Sequence, residues 1–371
     1  METTPNPTTS GMTYARARLW LGITTVGVMV MGSAVLLAFD MPDRLARGWG
    51  DDVLSDALVL AAAVLIYALV QLPFDLLGGL ILPRRFNRLD APAPATLRRI
   101  LGAAVLHAGI IWTIAMLLLA AGNAGRLLGV TIGGLLISIA LLALRPALGA
   151  VIGNVRRSSD DPASMRAPDQ GFTGGIEGVV RPARIIVPEA WRAELGDMGL
   201  TRVLARRQAA IDGGSWIRGR ILALTFTATG IAVAGFTAGT GTLGSPEGII
   251  RLALWFTLWS FIGLLTLPTL SRWAVLQVDA SLDGDQQDED ALRRVDRLGD
   301  DEPRRPAFIE SIFHPVPSVD RRVGKAPPRG PAFWDVARTA LFVSSAGLSL
   351  LGRAVHCNCG RPALWVYPPM A

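Results

Sequence analysis

Few of the residues that could do chemistry stand at spacings that would let them work together. The three histidines are His107, His314 and His356, so no His-x-x-x-His pair exists to set two imidazoles on one helical face for zinc. His356-Cys357-Asn358-Cys359 places three soft-metal donors within four residues, but no fourth ligand accompanies them, and Cys-x-Cys is not the usual Cys-x-x-Cys spacing. Asp279 through Asp290 approximates a calcium loop, with oxygen side chains at positions one, three, five and twelve and Gly284 at six. Gln286 stands where an apolar residue would pin such a loop, and Asp290 replaces the longer bidentate glutamate, so a helix running into a solvated acidic segment is the simpler reading. No nucleophile and base stand in an arrangement that suggests covalent catalysis.

These residues must be held by a chain that is largely apolar. Hydrophobic residues make up 51% of the 371, and six runs approach the roughly 20 residues that cross a bilayer. The runs are Leu19 to Phe39, Ala57 to Leu72, Leu101 to Ala121, Leu127 to Leu148, Ile221 to Ala238 and Ile249 to Leu270. A seventh, Thr339 to Gly352, is short enough to be interfacial or re-entrant. The expected fold class is mainly α: a multi-pass helical membrane protein of six or seven spans. The first run is long and has no cleavage site after it, so it is expected to stay as an anchor.

Basic residues cluster on alternate loops, at Arg16 and Arg18, at Arg84 to Arg99, at Arg156 and Arg157, and at Arg218 and Arg220. The positive-inside rule then puts the N-terminus and both large polar regions in the cytoplasm. Only Lys325 among the 36 basic residues is lysine, which reads as composition bias, so the net charge of +6 implies no nucleic-acid partner. His107, inside an apolar run, would be a proton relay on one reading; the preferred one is a neutral histidine hydrogen-bonded to a neighbouring helix. His314 precedes a proline and is expected to pack. Arg145-Pro146 with Gly133-Gly134 hints at a broken transporter helix, but a helix ending near a cytoplasmic arginine is simpler.

The polar region 151–217 opens with a Ser/Asp/Pro linker at Ser158. Two β-prone stretches, Gly171-Phe-Thr-Gly-Gly-Ile-Glu-Gly and Ala183-Arg-Ile-Ile-Val-Pro, read as a hairpin. Helices are expected near Glu189 to Leu195 and through Thr201 to Ala210. In the second region, 271–331, Leu292, Val295 and Leu298 recur at helical spacing, and prolines interrupt the chain beyond them. The expected organisation is a four-span membrane region (1–150), the hairpin region (151–217), two more spans (218–270), a cytoplasmic helical region (271–331) and an apolar, Cys-containing tail (332–371).

Several short segments, in order, resemble the membrane zinc endopeptidase family of the CAAX prenyl protease and HtpX. Phe172-Thr-Gly-Gly, Ile185-Ile-Val-Pro, Trp191 and Leu195 are similar to its strand pair and leading helix, and Val203-Leu-Ala is similar to the approach to its His-Glu-x-x-His motif. Arg206 and Ala210 then stand at the histidine positions and Arg207 at the general-base position. Ser271-Arg272-Trp-Ala-Val275-Leu-Gln-Val-Asp279 is similar to the family's third-ligand helix, with Val275 in place of the ligand glutamate and Ser271, Arg272 and Asp279 retained. Phe313-His314-Pro315, with Arg321 and Arg322 following, resembles its His-Pro segment.

The resemblance implies a small cytoplasmic α+β zincin-like portion and a zinc cofactor, yet all three ligand positions and the general base are lost, so no cofactor is expected. Asp279, whose counterpart in the family supports the metal ligands from behind, is expected to pair with Arg206, or failing that Arg207, in the vacated metal region. The expected function is an inactive homologue that binds membrane-protein or peptide clients in the bilayer, the hairpin taking a peptide by strand addition. A hydrolase with a non-standard site and a small-molecule transporter are the alternatives, the latter requiring a polar cavity between spans.

Overall fold

The computed structural model describes residues 12–50, 52–89, 91–158, 161, 163–282, 286–299, 301–302, 304–323, 329–355 and 358–369. Five helices are long and apolar enough to cross a membrane: α1 (Tyr14–Ala38), α2 (Val53–Arg85), α3 (Ala93–Gly153), α5 (Ser215–Ala238) and α6 (Pro246–Ser281). Between α3 and α5 lies α4 (Trp191–Asp212). Large apolar side chains such as Leu65, Leu136 and Phe236 stand exposed on the long helices, where lipid solvates them at no cost. The chain is a helical membrane protein.

Polar side chains start two of these helices. Thr13 accepts a hydrogen bond from the Arg16 amide, and the Asp52 carboxylate accepts from Leu54 (2.9 Å) and Ser55 (3.1 Å), satisfying N-terminal amides that no carbonyl can reach. Pro73 sits inside α2 and a π-helical turn, Leu77–Ile81, follows it.

Helix α3 has 61 residues, about 92 Å if straight at about 1.5 Å per residue, against a hydrocarbon core of about 30 Å. It is a closed hairpin of two arms. Gly125 and Arg126 leave helical geometry, Arg126 with φ of 48°, and Ala121 then faces Gly129 and Gly133 across the turn. A Cβ at Gly129 would collide with the Ala121 carbonyl. Gly129→Val therefore costs about 1–3 kcal/mol by overpacking, read as a lower unfolding midpoint in detergent. Gly109→Val, where a Cβ meets nothing, leaves it unchanged.

One expectation about α3 is corrected. The helix does not end at Arg145; it runs past Pro146 to Gly153, with Arg145 buried and its Nε donating to the Val366 carbonyl at 2.9 Å. The candidate span Thr339 to Gly352 is not a spanning helix. It is formed by α9 (Val336–Val343), a 3₁₀ turn (Ser344–Gly347) and further turns, and both it and α10 (Pro362–Val366) are buried among the long helices. The described residues of 332–369 form a plug packed among the long helices.

Four short strands form a sheet of order β1-β2-β4-β3: β1 (Arg156–Arg157), β2 (Ser164–Arg166), β3 (Gly175–Glu177) and β4 (Arg184–Pro188). The expected hairpin is β3 and β4, antiparallel with Ile176 opposite Ile185. Strand β2, which the sequence reading does not anticipate, pairs parallel to β4. Helix α4 bends at Gly196 (φ 68°), which divides it as the two expected helices are divided. Beyond α6, α7 (Gln286–Leu298) lays Val295 and Leu298 on the cluster of Trp191, Leu195 and Val203 on α4, and α8 (Ala307–Phe313) comes after it.

Candidate functional site

Arg206 and Ala210 are four residues apart and share a face of α4, while Val275 and Asp279 share a face of α6 by the same spacing. The two faces meet. Ala210 (0% exposed) and Val275 (1%) lie in one apolar cluster with Ile176, Ile211, Ala274 and Val278. One turn along, Arg206 Nε donates to Asp279 Oδ1 at 2.9 Å.

A second guanidinium closes on the same carboxylate. Arg322 donates from Nε to Oδ2 (2.7 Å) and from Nη2 to Oδ1 (2.9 Å), a two-point fork that fits planar guanidinium to planar carboxylate. The three side chains are only 8% (Arg206), 10% (Asp279) and 8% (Arg322) exposed. The sequence pattern predicts the pairing of Arg206; it does not predict that of Arg322, although Arg322 ends the His-Pro segment.

Arg207 turns the other way. Its Nη1 donates to the Ile186 carbonyl (2.6 Å), its Nη2 to that of Thr173 (2.7 Å), and its guanidinium lies 5.6 Å from the Trp191 ring. Burial pushes its pKa down to about 10. It braces the β3–β4 hairpin and does not reach for Asp279.

The other motif residues hold the segment after α6 in place. Arg272 Nη1 donates to the carbonyls of Glu310 (2.8 Å), Ser311 (2.7 Å) and His314 (3.0 Å), capping the end of α8. Ser271 Oγ accepts from the Ala337 amide at 3.0 Å, tying α9 to α6. Glu310, fully buried, accepts from Ser318 Oγ at 2.8 Å, and Arg321 lies 3.5 Å from it. His314 is buried, as expected of a packing residue, and Pro315 lines a small cavity beneath α9. Arg272→Ala removes a charged donor from three carbonyls and costs about 3 kcal/mol, at roughly 1.5–3 kcal/mol per charged hydrogen bond with incomplete additivity. Limited proteolysis then cuts the chain between α8 and residue 323 faster.

The remaining candidates do not converge on this site. His107 packs edge-on against Trp365, ring centres 5.6 Å apart, and its Nδ1 has no hydrogen-bond partner, so the expected bond to a neighbouring helix is replaced by an aromatic contact. Cys359 is buried, its thiol 3.3 Å from the Arg353 carbonyl, while His356 and Cys357 lie outside the described residues. Of the calcium-like loop, Asp279 has both oxygens engaged by arginine; residues 283–285 lie outside the described residues. On β3 the Ile176 carbonyl accepts from Arg220 Nη2 at 2.8 Å.

Sequence reasoning also missed a buried ion pair. Asp75 on α2 and Arg353 in the C-terminal plug form a salt bridge with no exposure of either side chain. A lone acid in an apolar run is its signal.

Chemically, the junction of α4 and α6 is closed. Guanidinium donates only, and alanine and valine offer no lone pair, so positions 206, 210 and 275 do not fit zinc. Among the described residues no group of three or more His, Cys, Asp and Glu side chains is placed to hold a metal.

No protein-family model matches the chain, and no curated protein does. Among solved structures it is similar to the crystal structure of S. mikatae Ste24p, with a TM-score of 0.65 over 84% of this chain and 86% of that one, at 14% identity. At that identity the likeness shows a shared fold.

Proposed function

We propose that this chain is a degenerate relative of the membrane zinc endopeptidases, its metal site replaced by a structural ion cluster, and that it works by binding rather than by hydrolysis. The observation that carries this reading is the meeting of Arg206, Ala210, Val275 and Asp279 at the junction of α4 and α6, the four positions that the sequence resemblance assigns to a metal and its surroundings. Counting the two arms of α3 separately gives six crossings, with the N-terminus, the sheet and α7 to α8 on the arginine-rich, cytoplasmic side.

The client side of the reading rests on a cavity. Leu60, Val64, Tyr67, Ile111, Ala115 and Ile249 help line a space of about 410 Å³ among α1, α2, α3 and α6, and the lining is almost wholly apolar. It suits an acyl chain or apolar side chains of a client's membrane segment, and it disfavours a transporter of polar solutes, which needs convergent polar groups. Peptide hydrolysis by the chain reconstituted in vesicles tests the reading: no cleavage above empty vesicles, with or without chelator, is expected. Cleavage that a chelator abolishes would overturn it.

A further inference from the structure

The small cavity beneath α9 holds a charge that nothing answers. It lies where α9 packs against α5 and α6, with Phe313 and Pro315 entering from the end of α8 and just beyond it. Its volume is about 40 Å³, room for about three groups the size of water at roughly 10–15 Å³ each. Most of the lining is apolar, and among the described residues its one charged member is Arg338, in the first turn of α9.

Arg338 is 6% exposed, its Nε is sealed from solvent, and among the described residues it makes no hydrogen bond or ion pair. Other buried arginines are supplied. Arg145, Arg207, Arg220 and Arg272 each donate to a backbone carbonyl, and Arg353 pairs with Asp75. Asp335, one turn before Arg338, does not pair with it, and Glu310, one turn before Phe313, is engaged by Ser318 and Arg321. Two further groups in the lining lack partners: the hydroxyls of Thr227 and Ser260. Thr257 and Thr266, on either side of Ser260 along α6, instead donate to the carbonyls four residues before them, at 2.8 and 2.9 Å.

A buried guanidinium without a counter-charge is costly, and the positive end of a helix dipole adds to that cost in the first turn. A bound anion offsets both. We propose that this cavity binds one small monovalent anion, a halide or a carboxylate group, against the Arg338 guanidinium. One negative charge neutralises one guanidinium, whereas a doubly charged phosphate or sulfate would leave a net charge in an apolar site. The volume admits a chloride ion or the end of a carboxylate and excludes a lipid headgroup. Held there, the anion sits among α9, α6 and the segment after α8, and its binding strengthens their packing.

The full chain is purified in detergent with gluconate, too bulky for the cavity, as the only added anion. Its unfolding midpoint is followed as gluconate is replaced by chloride or by formate at constant ionic strength. The midpoint rises by several degrees; a rise with chloride alone makes the ligand a halide, and a rise with formate alone makes it a carboxylate. Arg338→Met abolishes the rise, and its midpoint in gluconate is no lower than that of the parent, because no unpaired charge is left buried. Arg98→Gln, which removes the same charge from an exposed position outside the cavity, keeps the rise. The linewidth of ³⁵Cl, measured on the parent alone, decides the matter if Arg338→Met fails to fold: it broadens with protein and narrows again when formate competes. A parent that responds to neither anion and leaves the line narrow would overturn the site, as would an equal rise in Arg338→Met.

Discussion

Asp279→Ala lowers the stability of the folded chain by about 3–5 kcal/mol, the cost of removing one partner from a buried ion pair and leaving the other charge uncompensated. Here two guanidiniums are left, each 8% exposed. Arg206→Ala costs less, because Arg322 keeps its fork on both carboxylate oxygens. Replacing all three by apolar residues, Asp279→Leu with Arg206→Met and Arg322→Met, recovers most of the loss, since no charge then lies buried. Unfolding midpoints followed by tryptophan fluorescence in detergent rank the variants. A midpoint for Asp279→Ala equal to that of the parent would show that the cluster is not structural.

Arg353→Ala is expected to be as damaging, again about 3–5 kcal/mol. Asp75 would keep the Gly360 amide (2.8 Å) and Gln71 Nε2 (3.4 Å) but lose the cation that pairs with it, at a position with no solvent exposure. Arg353 also lies 4.1 Å over the Trp365 ring, so the substitution both unpins the C-terminal plug from α2 and loosens the plug itself. In a Cys357→Ser background, maleimide labelling of Cys359 reports the release: slow in the parent, where Cys359 is buried, and fast in Arg353→Ala. Asp75→Asn combined with Arg353→Met labels more slowly than Arg353→Ala alone, because no uncompensated carboxylate is left.

Much of this architecture is legible in the sequence because hydropathy and helical spacing are local properties. The apolar runs mark the long helices, and Gly122 to Arg126 marks the turn of α3. The β3–β4 pair announces itself through β-branched residues between glycines, and the i, i+4 spacing alone puts Arg206 with Ala210 and Val275 with Asp279. What escapes depends on depth and on distant partners. Strands of two and three residues, such as β1 and β2, carry no period. Arg145 reads as an interfacial charge because arginine usually is, yet it is buried against the C-terminal plug. The plug resembles a span because short apolar stretches look alike whether lipid or protein covers them. The bond from Arg322 to Asp279 joins residues 43 apart, with α7 and α8 between them, and no local spacing announces it.

The central claim is that positions 206, 210 and 275 form a former metal site whose ligands have been exchanged for a structural ion cluster. Zinc content measured by mass spectrometry on the purified parent and on Arg206→His with Ala210→His and Val275→Glu tests it most directly. The parent is predicted to carry no zinc above background, and the folded triple variant about one equivalent, since two imidazoles and a carboxylate then meet at the junction of α4 and α6. One equivalent of zinc in the parent, or a folded triple variant that binds none, would contradict it.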